Sequence, residues 1–471
     1  MKKLNLLLAL AFTVLLTGNI FAQEEKKEEE KKSEFTVNAE FRPRTEFSHG
    51  YKSPVLKYSV PNEYTYPGSL ATSQRTRIGF NYKYDKIKFG LQLQDIRTWG
   101  SQAQLTADDT NDMFVHQAWG EINFTDKFSL KAGRMELVYD DHRILGSVGW
   151  AQQARSHDLA LFKYEGNIKV HLGIAYHGGP FTGNDAYKAM QFLWINGKAA
   201  DFGYSILALN NGVAERGYWG PVAQVAESNA YSQILGGRFT YQLGDLNLAL
   251  NSYYQTGKKA ADWIDPASLP TGLTAEDLGY EEKSGQGQKI AAYNFAFDAM
   301  YKISDGLKIG AGYEILSGND LTDVNRTDEN AFTPLYGTNH KFNGWMDYFY
   351  VGNHGSSIGL QDINLKILYK NGPFFAKLIP HYFLPAGKGT YTDVNAVTHD
   401  IGALGTEVDF VVGYNIIPKT ANIQFGYSQM FATESMYGLK GVVPTTDNPM
   451  GTNNWIWAMI VIKPTLFKSV K

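Results

Sequence analysis

Segments of about ten residues with strictly alternating polarity recur along the chain, and few folds tolerate that pattern repeated so often. In LNLALNSYYQ (246–255) Leu246, Leu248 and Leu250 share one face, with Asn247, Asn251 and Gln255 on the other. LKIGAGYEIL (307–316) sets Leu307, Ile309, Ala311, Tyr313 and Ile315 together, and ANIQFGYSQM (421–430) does so with Ile423, Phe425 and Tyr427. FTVNAEFRPR (35–44) opposes Phe35, Val37, Ala39 and Phe41 to Thr36, Asn38, Glu40, Arg42 and Arg44. A period of two is the mark of a half-buried strand.

The connections decide between a soluble sandwich and a membrane barrel. Eight tight turns are expected, at 84–87, 125–128, 165–168, 197–201, 243–246, 304–307, 370–373 and 417–420. Between them lie nine long connections, near 49–72, 100–111, 135–154, 179–186, 212–230, 257–287, 318–357, 385–402 and 432–452. Eight and nine make 17 connections and therefore 18 strands, with both ends on the short-turn side. That asymmetry belongs to transmembrane β-barrels, whose apolar face meets lipid and whose polar face meets a lumen. The composition agrees: 29 Tyr, 27 Phe, 9 Trp and 47 Gly, with no run of 18 apolar residues after the N-terminal region. The expected fold is all-β, an 18-stranded antiparallel transmembrane barrel. The last strand, NWIWAMIVIKPTLF, is weakly patterned and reads as lipid-facing.

Residues 1–22 read as a secretory signal peptide: Lys2 and Lys3, an apolar run from Leu4 to Leu16, and Ala22 before the cleavage point. Residues 23–34, QEEKKEEEKKSE, hold no core-forming residue and read as a charged disordered periplasmic tether, with the barrel over 35–467. The absence of cysteine excludes disulfides, a lipoprotein anchor, thiolate metal sites and a Cys nucleophile. A net charge of −3 gives no overall attraction to nucleic acid.

The densest polar cluster is AGRMELVYDDHRILGSVGWAQQARSHD (132–158). Asp140 and Asp141 would point to opposite faces of a strand, and no nucleophile with base and orienter lies nearby, so no catalytic residue is assigned. The spacing of His142 and His157 fits no metal motif; no metal and no cofactor is expected. The cluster falls instead on the third long loop, at the end of the fifth strand and the start of the sixth. A loop folded into a lumen must satisfy its polar groups from the wall. Asp140, Asp141, His142, His157 and Asp158 are accordingly candidate anchors of a constriction loop.

Ten of the eleven arginines lie at or before Arg238. Arg42, Arg44, Arg75, Arg77 and Arg238 have lumen parity, and Arg155 opens the sixth strand. Arg97 shares parity with Leu91 and Leu93 and needs a bulge to turn inward. Lined along one wall these side chains would select anions; alternatively each pairs with a lumen acid such as Glu40, Glu46, Asp95 or Glu121.

Residues 132–164 resemble the signature region of the alginate export family of Gram-negative outer-membrane proteins. SQRTRIGFNYKY (73–84), VHQAWGEINF (115–124) and TNHKFNGWMDYFYVGN (338–353) are similar to other pieces of that family. The resemblance runs from about Phe35 to Phe467. It implies a monomeric 18-stranded barrel, embedded among outer-membrane lipid and lipopolysaccharide, that passes an anionic saccharide passively. By position it implies Arg42, Arg44, Arg75, Arg77, Arg134, Arg143 and Arg155 as pore residues. The founding exporters carry a long late periplasmic plug loop; here the eighth turn is only Ile417 to Thr420. Periplasmic partners are not indicated. Two other readings use the same barrel: an uptake porin for small anions or oligosaccharides, and a structural or adhesive barrel acting through surface loops. The aromatic loop FNGWMDYFYVGNHG (342–355) reads as an ordered cap or part of the rim girdle in preference to a sugar-stacking surface.

Overall fold

The computed structural model describes residues 32–60, 64–65, 68–105, 113–177, 187–219, 222–260, 262–264, 281–282 and 287–470. Residues 1–22 and most of 23–34 lie outside them, as do parts of four long connections and all of the one expected at 179–186. Eighteen antiparallel strands close into one barrel. They are β1 (Ser33–His49), β2 (Ser69–Tyr84), β3 (Ile87–Thr98), β4 (Phe114–Asn123), β5 (Phe128–Met135), β6 (His157–Glu165), β7 (Lys169–Tyr176), β8 (Ala189–Ala199) and β9 (Phe202–Trp219). The second half comprises β10 (Val222–Leu243), β11 (Leu246–Lys258), β12 (Lys289–Lys302), β13 (Leu307–Leu316), β14 (Leu360–Asn371), β15 (Phe374–Leu384), β16 (Gly405–Ile417), β17 (Ala421–Ala432) and β18. β18 comes in two pieces, Asn453–Ile462 and Thr465–Val470.

Each strand pairs with its neighbours in sequence, and β1 pairs with both β2 and β18. Closure runs from His49 opposite Asn454 down to Glu34 opposite Val470. The register breaks around Pro464, which has no N–H to give; its carbonyl accepts from the Ala39 N–H at 3.0 Å. No sheet edge is left, so the wall backbone pairs along every strand boundary, as lipid requires, with short gaps in the ladder at Pro43 and Pro380.

The two faces are inverted relative to a soluble barrel. On β14 the outward Ile363 and Leu365 are 45% and 54% exposed, while the inward Asp362 and Asn364 are 2% and 8% exposed. Exposed apolar side chains over buried polar ones make sense only with a hydrocarbon solvent outside. Exposed aromatics ring both ends of this band: Tyr82, Phe89, Tyr164, Tyr241, Tyr369 and Tyr414 near the short turns, and Tyr231, Tyr254, Tyr293, Tyr382 and Phe431 towards the long loops. Ten residues separate Tyr241 from Tyr231 on β10. At the usual strand rise and barrel tilt that spans about 25 Å of membrane height.

All eight tight turns fall where the alternation places them. Three boundaries shift. Ser33 and Glu34 belong to β1 and not to the tether, and the last strand continues past Phe467 to Val470. The connection expected at 212–230 is an extended hairpin, paired out to Trp219 opposite Val222 with a register shift between Ala214 and Arg216. Its backbone bonds satisfy one another beyond the barrel rim, so the ladder has no reason to stop there. β18 also departs from expectation: its first piece alternates strictly, with Ile460 and Ile462 outward and Trp455, Trp457, Met459 and Val461 buried on the inner face.

That inner aromatic face reflects the molecule's core, which lies inside the barrel. Two long connections, residues 136–156 and 317–359 (the third and seventh loops), fold into the lumen. Leu137, Tyr139 and Leu145 of one and Tyr336, Met346, Tyr348 and Phe349 of the other pack against Phe192, Leu207, Leu209 and Trp455 of the wall. The stretch 342–355 is thus largely interior, as an ordered cap would be.

Replacing Leu365 by Arg, at mid-height on the lipid face, is expected to destabilise the barrel by about 2–4 kcal/mol. Urea unfolding in phospholipid vesicles checks it; an unchanged midpoint would mean that Leu365 does not face the hydrocarbon.

Candidate functional site

The third loop is seated by wall arginines. Arg42 and Arg75 are cross-strand neighbours on β1 and β2, one pair above Glu40 and Arg77. Arg42 donates to the carbonyls of Gly149 (2.7 Å), Trp150 (3.0 Å) and Ala151 (3.3 Å) and to Gln152 Oε1 (2.8 Å). Arg75 reaches the Ala151 and Gln152 carbonyls, both at 3.3 Å, and pairs with Glu40 at 2.6 Å. Arg44 donates to the Trp150 carbonyl (2.7 Å), pairs with Glu46 (2.8 Å) and lies 4.1 Å from the Trp150 ring centroid. Arg77 holds Gln94 (2.5 Å) and faces Glu136 (3.6 Å). A guanidinium is suited to this because its planar fork serves several acceptors at once.

Across the barrel the same loop meets the opposite wall. Asp141 accepts from Arg238 of β10 (2.6 Å) and Asn251 of β11 (2.7 Å). Asp140 accepts from the Trp194 indole (3.2 Å), and burial holds its carboxyl above the usual range. Arg143 pairs with Glu314 of β13 (2.8 Å) and donates to Asn343 of the seventh loop (3.0 Å). The backbone itself is wound tightly: Asp140, His142, Val148 and Ala154 all have positive φ, unusual above all for a β-branched valine. Gly146 and Gly337 mark where the two loops touch. A Cβ on Gly146 would stand 2.3 Å from Thr338 Oγ1, and one on Gly337 2.2 Å from the Arg143 carbonyl.

The seventh loop is held by residues the sequence reading missed. The Trp345 and Met346 N–H groups donate to Asp409 (3.1 Å) and Glu407 (2.7 Å) of β16. Asn343 donates to Glu314 and Asp362, and Asp362 pairs with His381 at 2.9 Å. GTEVDF (405–410) carried the available signal: two acids two apart on a strand must share the lumen face.

Each candidate residue can now be placed. Asp140 and Asp141 are loop anchors, although only Asp141 meets an arginine. His142 contributes its carbonyl, which accepts from the Thr338 N–H at 2.9 Å. Its half-buried ring is held below the ordinary histidine range by burial and the nearby Lys341. His157 stacks on Tyr187 and meets no wall arginine. Arg155 donates to the Gly337 carbonyl at 3.3 Å. Three assignments are corrected. Arg134 and Asp158 pair with each other at 2.7 Å on the outward face, with side chains 41% and 53% exposed. Arg97 stays on the face of Leu91 and Leu93, because β2 and β3 pair without a break, and it binds Asp95 at 2.8 Å. Finally, Arg42, Arg44, Arg75, Arg77 and Arg143 are only 2–8% exposed. Arg42, Arg44 and Arg75 are buried beneath the third loop, whose carbonyls need strong donors; Arg77 lies against Gln94 and Glu136, and Arg143, within the loop, against Glu314. Among the described residues no cluster of three or more His, Asp or Glu is arranged to hold a metal ion.

A closed barrel with an apolar exterior, aromatic girdles and a charged lumen constricted by inward loops is an outer-membrane channel of the porin type. The chain belongs to the alginate export family, whose sequence profile matches residues 69–356, more than half its length. Solved porins share the fold. OccK2 (OpdF) of Pseudomonas aeruginosa, solved in complex with glucuronate, superposes with a TM-score of 0.52 at 11% identity, covering 92% of this chain and 98% of that one. A BenF-like porin from Pseudomonas fluorescens Pf-5 gives 0.52 at 11% identity, with 92% and 99% covered. OccK5 (OpdH) of P. aeruginosa gives 0.51 at 7%, with 92% and 98% covered. No curated protein matches in sequence. The protein therefore resides in the outer membrane of a Gram-negative bacterium and forms a channel for solutes.

Two outcomes follow from the loop seating. Arg42→Ala removes the 2.7 Å donor of the Gly149 carbonyl and one of the two donors of the Trp150 and Ala151 carbonyls, at about 1–3 kcal/mol for a buried acceptor left unpaired. It should raise single-channel conductance and its noise in planar bilayers; a reduced conductance would contradict the anchoring role. The second concerns His354, whose Nε2 meets the Gly359 carbonyl at 3.0 Å. Burial, aided by Lys440, lowers its pKa to about 4. The native state then favours neutral His354, so its stabilisation is present above the ordinary histidine pKa and lost as pH falls from there towards 4. Amide hydrogen exchange in 345–359 should accelerate in that window, and less so in His354→Gln.

Proposed function

We propose that this channel passes acidic saccharides, sugar acids or anionic oligosaccharides, down their gradient and without catalysis. The supporting observation is an excess of positive charge on the β1–β2 face of the lumen, beneath the third loop. Four guanidiniums, Arg42, Arg44, Arg75 and Arg77, have three carboxylates within 4.0 Å, Glu40, Glu46 and Glu136, which leaves one positive charge. Buried charge in a low-dielectric wall projects its field into the narrow lumen, so it attracts anions without touching them. In this reading the arginines act on the solute at a distance, through the loop they hold. Family membership and the glucuronate seen in OccK2 support an acidic sugar as the solute class. Direction is set by the gradient, so export of a polymer and uptake of its fragments use one pore.

The deciding measurement is the reversal potential of the purified protein in a planar bilayer under a KCl gradient. Preference for chloride over potassium is expected, with current block by glucuronate or by oligomers of uronic acids. A cation-selective pore would defeat the proposal. A barrel that never conducts would favour a structural or adhesive role.

A further inference from the structure

Arg42, Arg44 and Arg75, which the sequence offers as a solute path, are buried against the carbonyls of the third loop, which raises the question of which cations still face the water. Register answers it at the short-turn end of the lumen. Lys88 of β3 lies opposite Glu121 of β4, and Glu121 lies opposite Lys131 of β5, all on the inner face. Lys163 of β6 sends its Nζ to the same carboxylate oxygen: Glu121 Oε1 is 3.0 Å from Lys88 and 2.9 Å from Lys163. Three ammoniums and one carboxylate leave two positive charges. Glu165, two residues beyond Lys163 on β6, is engaged by His171 (2.9 Å) and Lys169 (3.4 Å).

Lys131 is the member left over. Among the described residues no carboxylate stands within ion-pair distance of it. Its Nζ lies 3.6 Å from the centroid of the Trp119 ring. That indole sits close over Gly90, where a Cβ would come within 2.5 Å of the ring. Gly133, the partner of Trp119 on the other side, likewise offers no side chain. The glycines make a flat berth for the indole, and the indole holds the ammonium by cation–π attraction. An ammonium on a flexible stem, half-buried and without an anion, is poised to take a carboxylate from the lumen.

We infer that Lys131, flanked by Lys88 and Lys163 and positioned by Trp119, forms a binding station for the carboxylate of a sugar acid at the periplasmic mouth of the channel. The inference rests on the acidic-saccharide reading, and it assigns the contact with solute to lysines of β3–β6 instead of arginines of β1–β2. A single carboxylate docked here would halve the excess charge of the patch. A solute chain could exchange one such group for the next, as weak stepwise binding in a conducting pore requires.

The test uses the full-length protein in detergent at low ionic strength, titrated calorimetrically with glucuronate, glucose and inorganic phosphate. Wild type should bind glucuronate and not glucose. Lys131→Gln should weaken glucuronate by about tenfold, the scale of one charge-assisted hydrogen bond, and Lys131→Arg should retain it. Glu121→Gln, which raises the local charge from two to three, should tighten it. No glucuronate binding to wild type, or unchanged affinity in both Lys131→Gln and Glu121→Gln, would overturn the station. Phosphate binding as tightly as glucuronate would overturn the sugar-acid assignment. Bilayer selectivity is read separately, so a non-selective pore that binds glucuronate at Lys131 defeats only the transport reading. An anion-selective pore with unaltered binding in the variants defeats only this one.

Discussion

Everything in this molecule follows from the cost of an unpaired backbone group where no water can reach it. In the wall that cost forces closure, and β1 meets β18 along its whole length even though Pro464 interrupts the ladder. Closure creates a lumen, and a lumen wide enough to admit loops poses the same problem again. The third loop carries its own carbonyls into the interior, and the carbonyls of Gly149 to Gln152 find their donors on Arg42, Arg44 and Arg75. The seventh loop brings N–H groups to be satisfied, and Glu407 and Asp409 accept them. The wall charges are therefore complementary to the loops in kind: donors face the carbonyls of one loop, acceptors the amides of the other.

This division explains the unequal spread of the arginines. A buried loop carbonyl needs a donor that stays charged and branches, and guanidinium is the side chain that does both. A solute that must arrive and leave is better served by a mobile point charge, and lysines occupy the inner face of β3 to β6 below the third loop. The cations of the lumen are thus of two residue types with separate tasks, one structural and one available to solvent. The apolar core between the loops and β8, β9 and β18 adds the packing energy that ion pairs alone do not supply, since buried pairs roughly break even against their desolvation.

Much of the architecture was legible before folding. Alternation in segments such as 246–255 and 307–316 assigns the faces correctly, and the contrast between short and long connections yields the strand count. The site was legible only in part. Asp141, read as a loop anchor, bonds Arg238 and Asn251, whereas Arg143, read as lining the pore, is buried against Glu314. Arg134 and Asp158 were placed by their position in a dense polar cluster, but strand parity sends both outward, where each neutralises the other. Arg97 needed a bulge on β3 that the unbroken pairing with β2 does not provide. The inward Trp455 and Trp457 misled in the opposite sense: an apolar residue on a barrel strand signals lipid unless the lumen itself is packed.

By itself the sequence determined that the chain closes into an outer-membrane barrel, because period-two polarity and turn chemistry are local properties set within a few residues. It also determined that the lumen would be charged, since inward residues can be identified strand by strand. Only the tertiary structure decided which charges remain free. Whether an inward arginine meets a solute or a carbonyl depends on a loop more than a hundred residues away, and no local pattern specifies that distance. Arg42 and Gln152 find each other across the lumen only once the barrel has closed around them.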